Sequence, residues 1–250
     1  MRQPFGVGTE SAPMVARRPR ATLLGARGRP SPRPSAIPRS GIVCDAVLRR
    51  AILTLVRHGE TSANLAGVWH GSLDTPLTDR GREQARRVAR FLEGRCAEAS
   101  AVYTSPLVRA RDTAQAIADR LGLAPRLEQG LAEYHLGSWE GKSYRELHET
   151  HRLWDEMRRD PDFAPHGGES PRQVTGRITA ALRRIGLQHA GERVIVVTHG
   201  GALSMALAAI IDGDYTRWRR VMSNCAVSEL VLEPAPELLS FNQTEHLDGL

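Results

Sequence analysis

The nine residues Leu53-Thr54-Leu55-Val56-Arg57-His58-Gly59-Glu60-Thr61 hold the most reactive side-chain combination in this 250-residue chain. An apolar run ends in a cation and an imidazole, and a glycine lets the chain turn at once. A phosphate there would meet a fixed positive charge beside a nucleophile able to accept it. The setting recurs where Val194–Thr198, again apolar, is followed by His199-Gly200-Gly201. Two histidines at the ends of two strands of one sheet can face a single crevice, although spacing does not establish that they meet. On spacing alone Arg109 reads as a solvated arginine in the first turns of a helix, and Glu133 as an ordinary loop acid.

Such residues need a sheet edge to hold them, and the pattern from Ile52 onward supplies one. Ile52–Val56 reads as a strand. Thr78 can cap a helix whose Ala85, Val88, Ala89 and Leu92 share a face, with Gly94 as its stop. Ala101–Thr104 reads as a short strand. Ser105-Pro106 reads as a cap with proline at the first helical position, followed by the stripe Ala110, Ala114, Ile117 and Leu121. Ser170-Pro171-Arg172-Gln173 is a capping box ahead of Val174, Ile178, Ala181 and Ile185. Val194–Thr198 is a buried strand, Ala202–Ile211 an apolar helix and Val227–Leu232 a further strand. The alternation predicts an α/β fold, a three-layer α/β/α sandwich with a mainly parallel central sheet. Residues Glu133–Pro165 break the rhythm. They read as a loop and a polar helix near Tyr144–Arg158, placed to cover a site, with Trp139, Tyr144 and Trp154 as candidate walls.

Composition narrows the function classes. The net charge of +6 is misleading, because residues 1–50 hold ten arginines against two acids while the other 200 residues hold 24 basic and 26 acidic side chains. The folded part therefore offers no basic stripe, and no nucleic-acid partner is expected. Residues 1–50, rich in Arg, Pro, Gly and Ser, predict a disordered N-terminal tail. A start assigned too early is the simplest reading of that tail. A transit peptide fits worse, since its prolines interrupt any amphipathic helix. Three widely spaced cysteines without a CxxC pair point to free thiols in a reducing compartment, so the expected location is cytoplasmic. No apolar run approaches the ~20 residues of a membrane span. GxxxxGK[ST], GxGxxG after a strand, HExxH and GxSxG are all missing, and His135 and His166 have no partners at metal-ligand spacing. Neither a metal nor another cofactor is expected.

Arg57-His58-Gly59-Glu60-Thr61 resembles the signature of the histidine phosphatase superfamily, with its phosphoglycerate mutase-like fold. Five further segments agree in order. They are Pro76-Leu77-Thr78-Asp79-Arg80-Gly81, Ser105 to Ala114, Glu133 with Gly137-Ser138-Trp139-Glu140-Gly141, Gly167-Gly168-Glu169-Ser170, and Thr198-His199-Gly200-Gly201. The resemblance runs from about Ile52 to the C-terminus and makes residues 51–250 the catalytic domain. It implies His58 as the nucleophile that becomes phosphohistidine and Glu133 as the proton donor. It also implies Arg57, Arg109 and His199 as a cationic phosphate pocket, with Asn64 as a phosphate-contacting amide and Gly200 as a backbone donor.

The implied activity is metal-independent hydrolysis of a small-molecule phosphate monoester. A 2,3-bisphosphoglycerate-dependent phosphoglycerate mutase is the alternative within the fold. Mutases of this family carry a longer insertion after the acid, whereas only 34 positions separate Glu133 from Gly167 here. A non-catalytic binding protein is the alternative outside enzymes, and it would have no need of an intact set of these residues. Phe241 to Leu247 resembles small members of the α-ribazole phosphatase type. The substrate and the oligomeric state stay open.

Overall fold

In a computed structural model, residues 50–217 and 219–250 are described. The expected disordered tail lies outside the described residues, apart from Arg50. In chain order the elements are β1 (Ile52–Arg57), α1 (Ser62–Leu65), α2 (Asp79–Arg95), β2 (Ala101–Thr104), α3 (Val108–Leu121), β3 (Pro125–Leu127), α4 (Tyr144–Glu149), α5 (Leu153–Arg159), α6 (Pro171–Gln188), β4 (Arg193–Thr198), α7 (Gly200–Ile211), β5 (Val227–Val231) and β6 (Glu237–Gln243).

The six strands form one sheet in the order β3-β2-β4-β1-β5-β6. The first four in that order run parallel, while β5 and β6 are antiparallel. Period-two alternation divides the strand residues between two cores. Val194 and Val196 join Leu53 and Leu55 beneath α6 and α7, and Ile195 and Val197 join Val56 and Val102 beneath α2 and α3. The fold is the expected three-layer sandwich.

Parallel strands place their carboxyl ends along one edge, where open α/β sheets gather ligands. The β1–β4 register pairs Arg57 with Thr198, so His58 and His199 leave the sheet side by side. His58 N–H also bonds the Thr198 carbonyl at 3.0 Å. The turn after His58 is pressed against the start of α2, and a Cβ on Gly59 would lie 2.5 Å from the Gly81 carbonyl oxygen. Two glycines are needed there for contact alone.

Four local expectations are corrected. Helix α3 begins at Val108, whose N–H is capped by Asp74 at 2.6 Å, while Ser105 Oγ accepts from Leu107 N–H at 3.3 Å and from His199 at 2.7 Å. The polar cover is two helices, α4 and α5, separated at Arg152, whose φ is +47°. Helix α2 runs through Gly94 to Arg95. Strands β3 and β6 were not expected. Both lie at sheet edges and neither is buried like a central strand, so their residues lack the apolar pattern that reveals one. No helix among the described residues is long and apolar enough to cross a membrane.

Candidate active site

His58 is 1% exposed, and its Nδ1 lies 2.7 Å from the Gly59 carbonyl oxygen. A carbonyl only accepts, so Nδ1 carries the proton and Nε2 of the neutral ring keeps its lone pair. Burial pushes the His58 pKa well down, and the Arg57 and Arg109 guanidinium groups add to the effect. The ring is therefore neutral at pH 7, with one nitrogen free to attack an electrophile.

The backbone around it is tied on three sides. Thr113 Oγ1 accepts from Gly59 N–H at 3.0 Å and donates to the Arg109 carbonyl at 2.7 Å. Asn224 Nδ2 donates to the His58 carbonyl at 3.0 Å and to Asn64 Oδ1 at 3.1 Å. Asn64 Oδ1 also accepts from Thr61 N–H, as part of the box that caps α1. With its oxygen occupied twice, Asn64 has only its NH2 to offer a ligand, which suits an anion.

A cavity of about 210 Å³ opens beside these groups. Arg57, His58, Asn64, His70, Glu133 and Gly200 line one part of it. Arg57 Nη1 donates to the Met222 carbonyl at 2.6 Å, while its Nε is buried with no partner. Gly200 is the first residue of α7, where no preceding carbonyl reaches the amide.

Glu133 sits on the same helix end. Its Oε1 accepts from Tyr134 N–H at 2.8 Å and Ala202 N–H at 2.7 Å, and its Oε2 from Gly201 N–H at 3.0 Å. Oε1 thus has both lone pairs engaged, and Oε2 is the oxygen with room for a proton. Position 201 has no space for a side chain, because a Cβ would fall 2.7 Å from the Trp69 ring and 2.9 Å from Glu133 Oε1. The Glu133 loop is fastened by Arg177, which donates to the carbonyls of Gly130, Ala132 and Glu133 and pairs with Glu169 at 2.6 Å.

Arg109 and His199 come to this centre without lining the cavity. Arg109 is fully buried and donates to the carbonyls of Leu73 (2.8 Å) and Gly71 (2.7 Å) and to His199 Nδ1 (3.2 Å). Burial lowers its pKa to about 10, so it stays charged at neutral pH. His199, whose ring centroid is 5.1 Å from that of His58, accepts at Nδ1, so its Nε2 carries the proton towards Ser105 Oγ. Burial and then Arg109 push the His199 pKa well down. The resemblance implies His199 as part of a cationic pocket, and both of its ring nitrogens are engaged, Nδ1 by Arg109 and Nε2 by Ser105.

Sequence reasoning missed His70, Asn224 and Arg177. The His70 ring stands 5.8 Å from His58, with a buried, unpartnered Nδ1 and a pKa lowered to about 3 by burial and then by Arg109 and Arg57. No strand end or glycine pair flags it, since it lies in the irregular segment after α1. Of the three candidate aromatic walls, Tyr144 and Trp154 line the cavity. Trp139 does not, and packs on His151 at 4.2 Å. Among the described residues no three or more His, Cys, Asp or Glu side chains are grouped to hold a metal ion.

The sequence pattern of the histidine phosphatase superfamily (branch 1) matches residues 53–244. The chain belongs to that superfamily. Phosphoglycerate mutase-like protein 4 of Arabidopsis thaliana is 44% identical over 158 residues, covering 61% of this chain and 68% of that protein. The glucosyl-3-phosphoglycerate phosphatase of Mycobacterium tuberculosis is 31% identical over 203 residues, covering 76% and 89%. A solved histidine phosphatase relative, the Entamoeba histolytica phosphoserine phosphatase in complex with 3-phosphoglyceric acid, superposes with a TM-score of 0.69 at 29% identity, covering 79% of this chain and 99% of that one.

Proposed function

We propose that this histidine phosphatase hydrolyses phosphate monoesters of small metabolites, without a metal, through a phosphohistidine at His58. The observation that carries the reading is one cavity lined both by an imidazole and by an arginine. The imidazole Nδ1–H of His58 is bound away, leaving Nε2 nucleophilic, and the Arg57 guanidinium lies beside it. An anion placed against Arg57 brings its phosphorus to the imidazole.

In the first step the Nε2 lone pair forms the N–P bond and the ester P–O bond breaks. Glu133, protonated at Oε2 when the phosphate dianion binds beside it, delivers the proton that the departing alkoxide needs. In the second step water attacks the phosphohistidine, Glu133 takes a proton from that water, the N–P bond breaks to restore neutral His58, and inorganic phosphate leaves. Charge on the transferring oxygens is met by Arg57, Asn64 NH2 and the Gly200 amide, with Arg109 behind them. A mutase would have to hold a second phosphate, yet Arg57 is the only arginine or lysine among the described lining residues. A binding protein would gain nothing from a nucleophilic nitrogen kept neutral.

Small substrates are favoured by the size of the cavity and by relatives named for glucosyl-3-phosphoglycerate and phosphoserine. The proposal puts the whole catalytic unit within residues 51–250. Cys96 and Cys225 are buried thiols outside any disulfide, which supports a reducing, cytoplasmic setting.

The test is a rapid quench of the full chain with labelled substrate. Wild type should trap acid-labile, base-stable phosphate on His58, and His58→Ala should trap none and turn over nothing. Phosphate found on a hydroxyl or thiol would sink the mechanism.

A further inference from the structure

Beside the groups that the proposed reaction uses, the cavity is lined by Trp69, Tyr144, Leu153, Trp154, Met157 and Met205. Trp69 cannot offer its indole N–H, which donates to the Tyr134 carbonyl at 3.1 Å. Three hydroxyl-bearing residues, Tyr134, Tyr144 and Ser204, also line the cavity, but the Tyr134 and Ser204 hydroxyls are themselves buried, so they add no exposed polar group to the wall.

The charges are as telling. Arg57 and Glu133 are the only arginine, lysine, aspartate or glutamate among the described lining residues, and the proposed reaction uses both. A carboxylate or ammonium on the alcohol half of a substrate would lose its water here and find no further charged side chain among the described lining residues. Of the arginines next in sequence to wall residues, Arg145 is exposed and Arg152 pairs with Asp155 at 3.3 Å. Arg158 pairs with Asp155 at 3.3 Å, and Arg220 is held by both oxygens of Asp212. At about 210 Å³ the cavity is also smaller than the roughly 300–1,000 Å³ that drug-sized ligands occupy.

We infer that the alcohol half of the substrate is compact, uncharged and mainly apolar, of the size of a single ring or a short branched chain. The inference rests on the phosphatase reading and departs from the charged alcohols in the names of the relatives. Apolar walls reward apolar surface, and the missing counter-charge penalises the alternatives.

The test compares kcat/KM of the full chain for benzyl and 2-phenylethyl phosphate with that for phosphoserine and 3-phosphoglycerate. All four leave as alkoxides, so leaving-group chemistry is held nearly constant, and 4-nitrophenyl phosphate serves as the control for phosphatase activity itself. The apolar pair should exceed the charged pair by at least about tenfold. Trp154→Ala should shrink that ratio. Benzylphosphonate should compete at least about tenfold more tightly than phosphonoacetate, a comparison that needs no variant. Equal or better use of the charged esters would overturn the inference and leave the phosphatase reading standing, as would a ratio unmoved in folded Trp154→Ala. Failure to hydrolyse any ester, 4-nitrophenyl phosphate included, would overturn the phosphatase reading and this inference with it.

Discussion

Arg109 donates from Nε to Nδ1 of His199 across 3.2 Å, with both side chains sealed from solvent. That bond fixes the His199 tautomer and sends the Nε2 proton to Ser105 Oγ, 2.7 Å away. Through its two Nη atoms the same guanidinium grips the Gly71 and Leu73 carbonyls. Arg109 thus joins the segment bearing His70 to the helix bearing Gly200, and its charge is near enough to help lower the pKa of His58. The solvated helix arginine that spacing suggested is the best-buried cation of the site.

A lysine cannot make this three-way junction, since an ammonium lacks the planar fork. Arg109→Lys keeps the charge and loses at least two of the three bonds. At ~1.5–3 kcal/mol for a charged hydrogen bond, kcat/KM should fall at least about tenfold and the melting temperature should drop with it. Kinetics and melting of Arg109→Lys beside Arg109→Ala check this. A lysine variant within threefold of wild type would show that charge alone matters.

Three buried histidines, His58, His70 and His199, hold protons more weakly than an ordinary histidine, through burial first and neighbouring arginines second. In the unfolded chain they titrate near ~6.5. Below that pH the unfolded state takes up protons that the folded state refuses, so stability is full above ~6.5 and falls as the pH drops. The fall continues towards pH 3, where His70 itself titrates at about 3 in the folded chain. The melting temperature should therefore decline steadily from pH 7 to pH 4, and His70→Gln should decline less steeply. Single-turnover rates at pH 5 should show His58 still unprotonated. A melting temperature flat over that range would refute the shared burial of the three rings.

Much of this site was legible because its residues sit where the period of an element breaks. His58 and His199 follow continuous apolar strands, and Ser170 with Gln173 announces α6 by a local hydrogen-bond pattern. What stayed hidden depends on partners distant in sequence. Ser105 keeps its local bond to Leu107 N–H, but its hydroxyl also meets a histidine 94 positions away, which no local pattern announces. Asn224 meets Asn64 and His58 only in the folded chain, 160 and 166 positions away. Strand β3 is three residues long and β6 alternates at an exposed edge, so neither carries the apolar run that revealed β4.

Removing residues 1–50 should leave kcat/KM within about twofold of the full chain. The matched family pattern begins at residue 53. Among the described residues, truncation removes an exposed ion pair between Arg50 and Glu237 at 2.6 Å, and such pairs contribute only ~0–1 kcal/mol. Activity and melting of the truncated chain check this, and a fall of more than a few degrees would give the tail a structural role.

Glu133 offers the sharpest test, because the structure changes how its substitution must be read. Glutamine has the same shape, yet it has one acceptor oxygen where Glu133 uses two. Placed with that oxygen towards Tyr134 and Ala202, Glu133→Gln would set an NH2 against the Gly201 N–H that Oε2 now accepts from. That unpaired donor should cost ~1–3 kcal/mol of stability, independently of any chemistry. The catalytic role is read separately, from how the loss depends on the leaving group. An alkoxide needs a proton to depart and a nitrophenolate does not. Single-turnover phosphorylation by benzyl phosphate should slow by ~10²–10⁴, and that by 4-nitrophenyl phosphate far less. Loss by one common factor would mean that the variant merely distorts the site. The other carboxylates of the matching segments are poor replacements. Glu60 is bound to Thr78, Glu140 to Ser72 and Glu169 to Arg177, and none of them lines the cavity. A common factor would therefore remove general acid catalysis from the mechanism rather than move it to a neighbour.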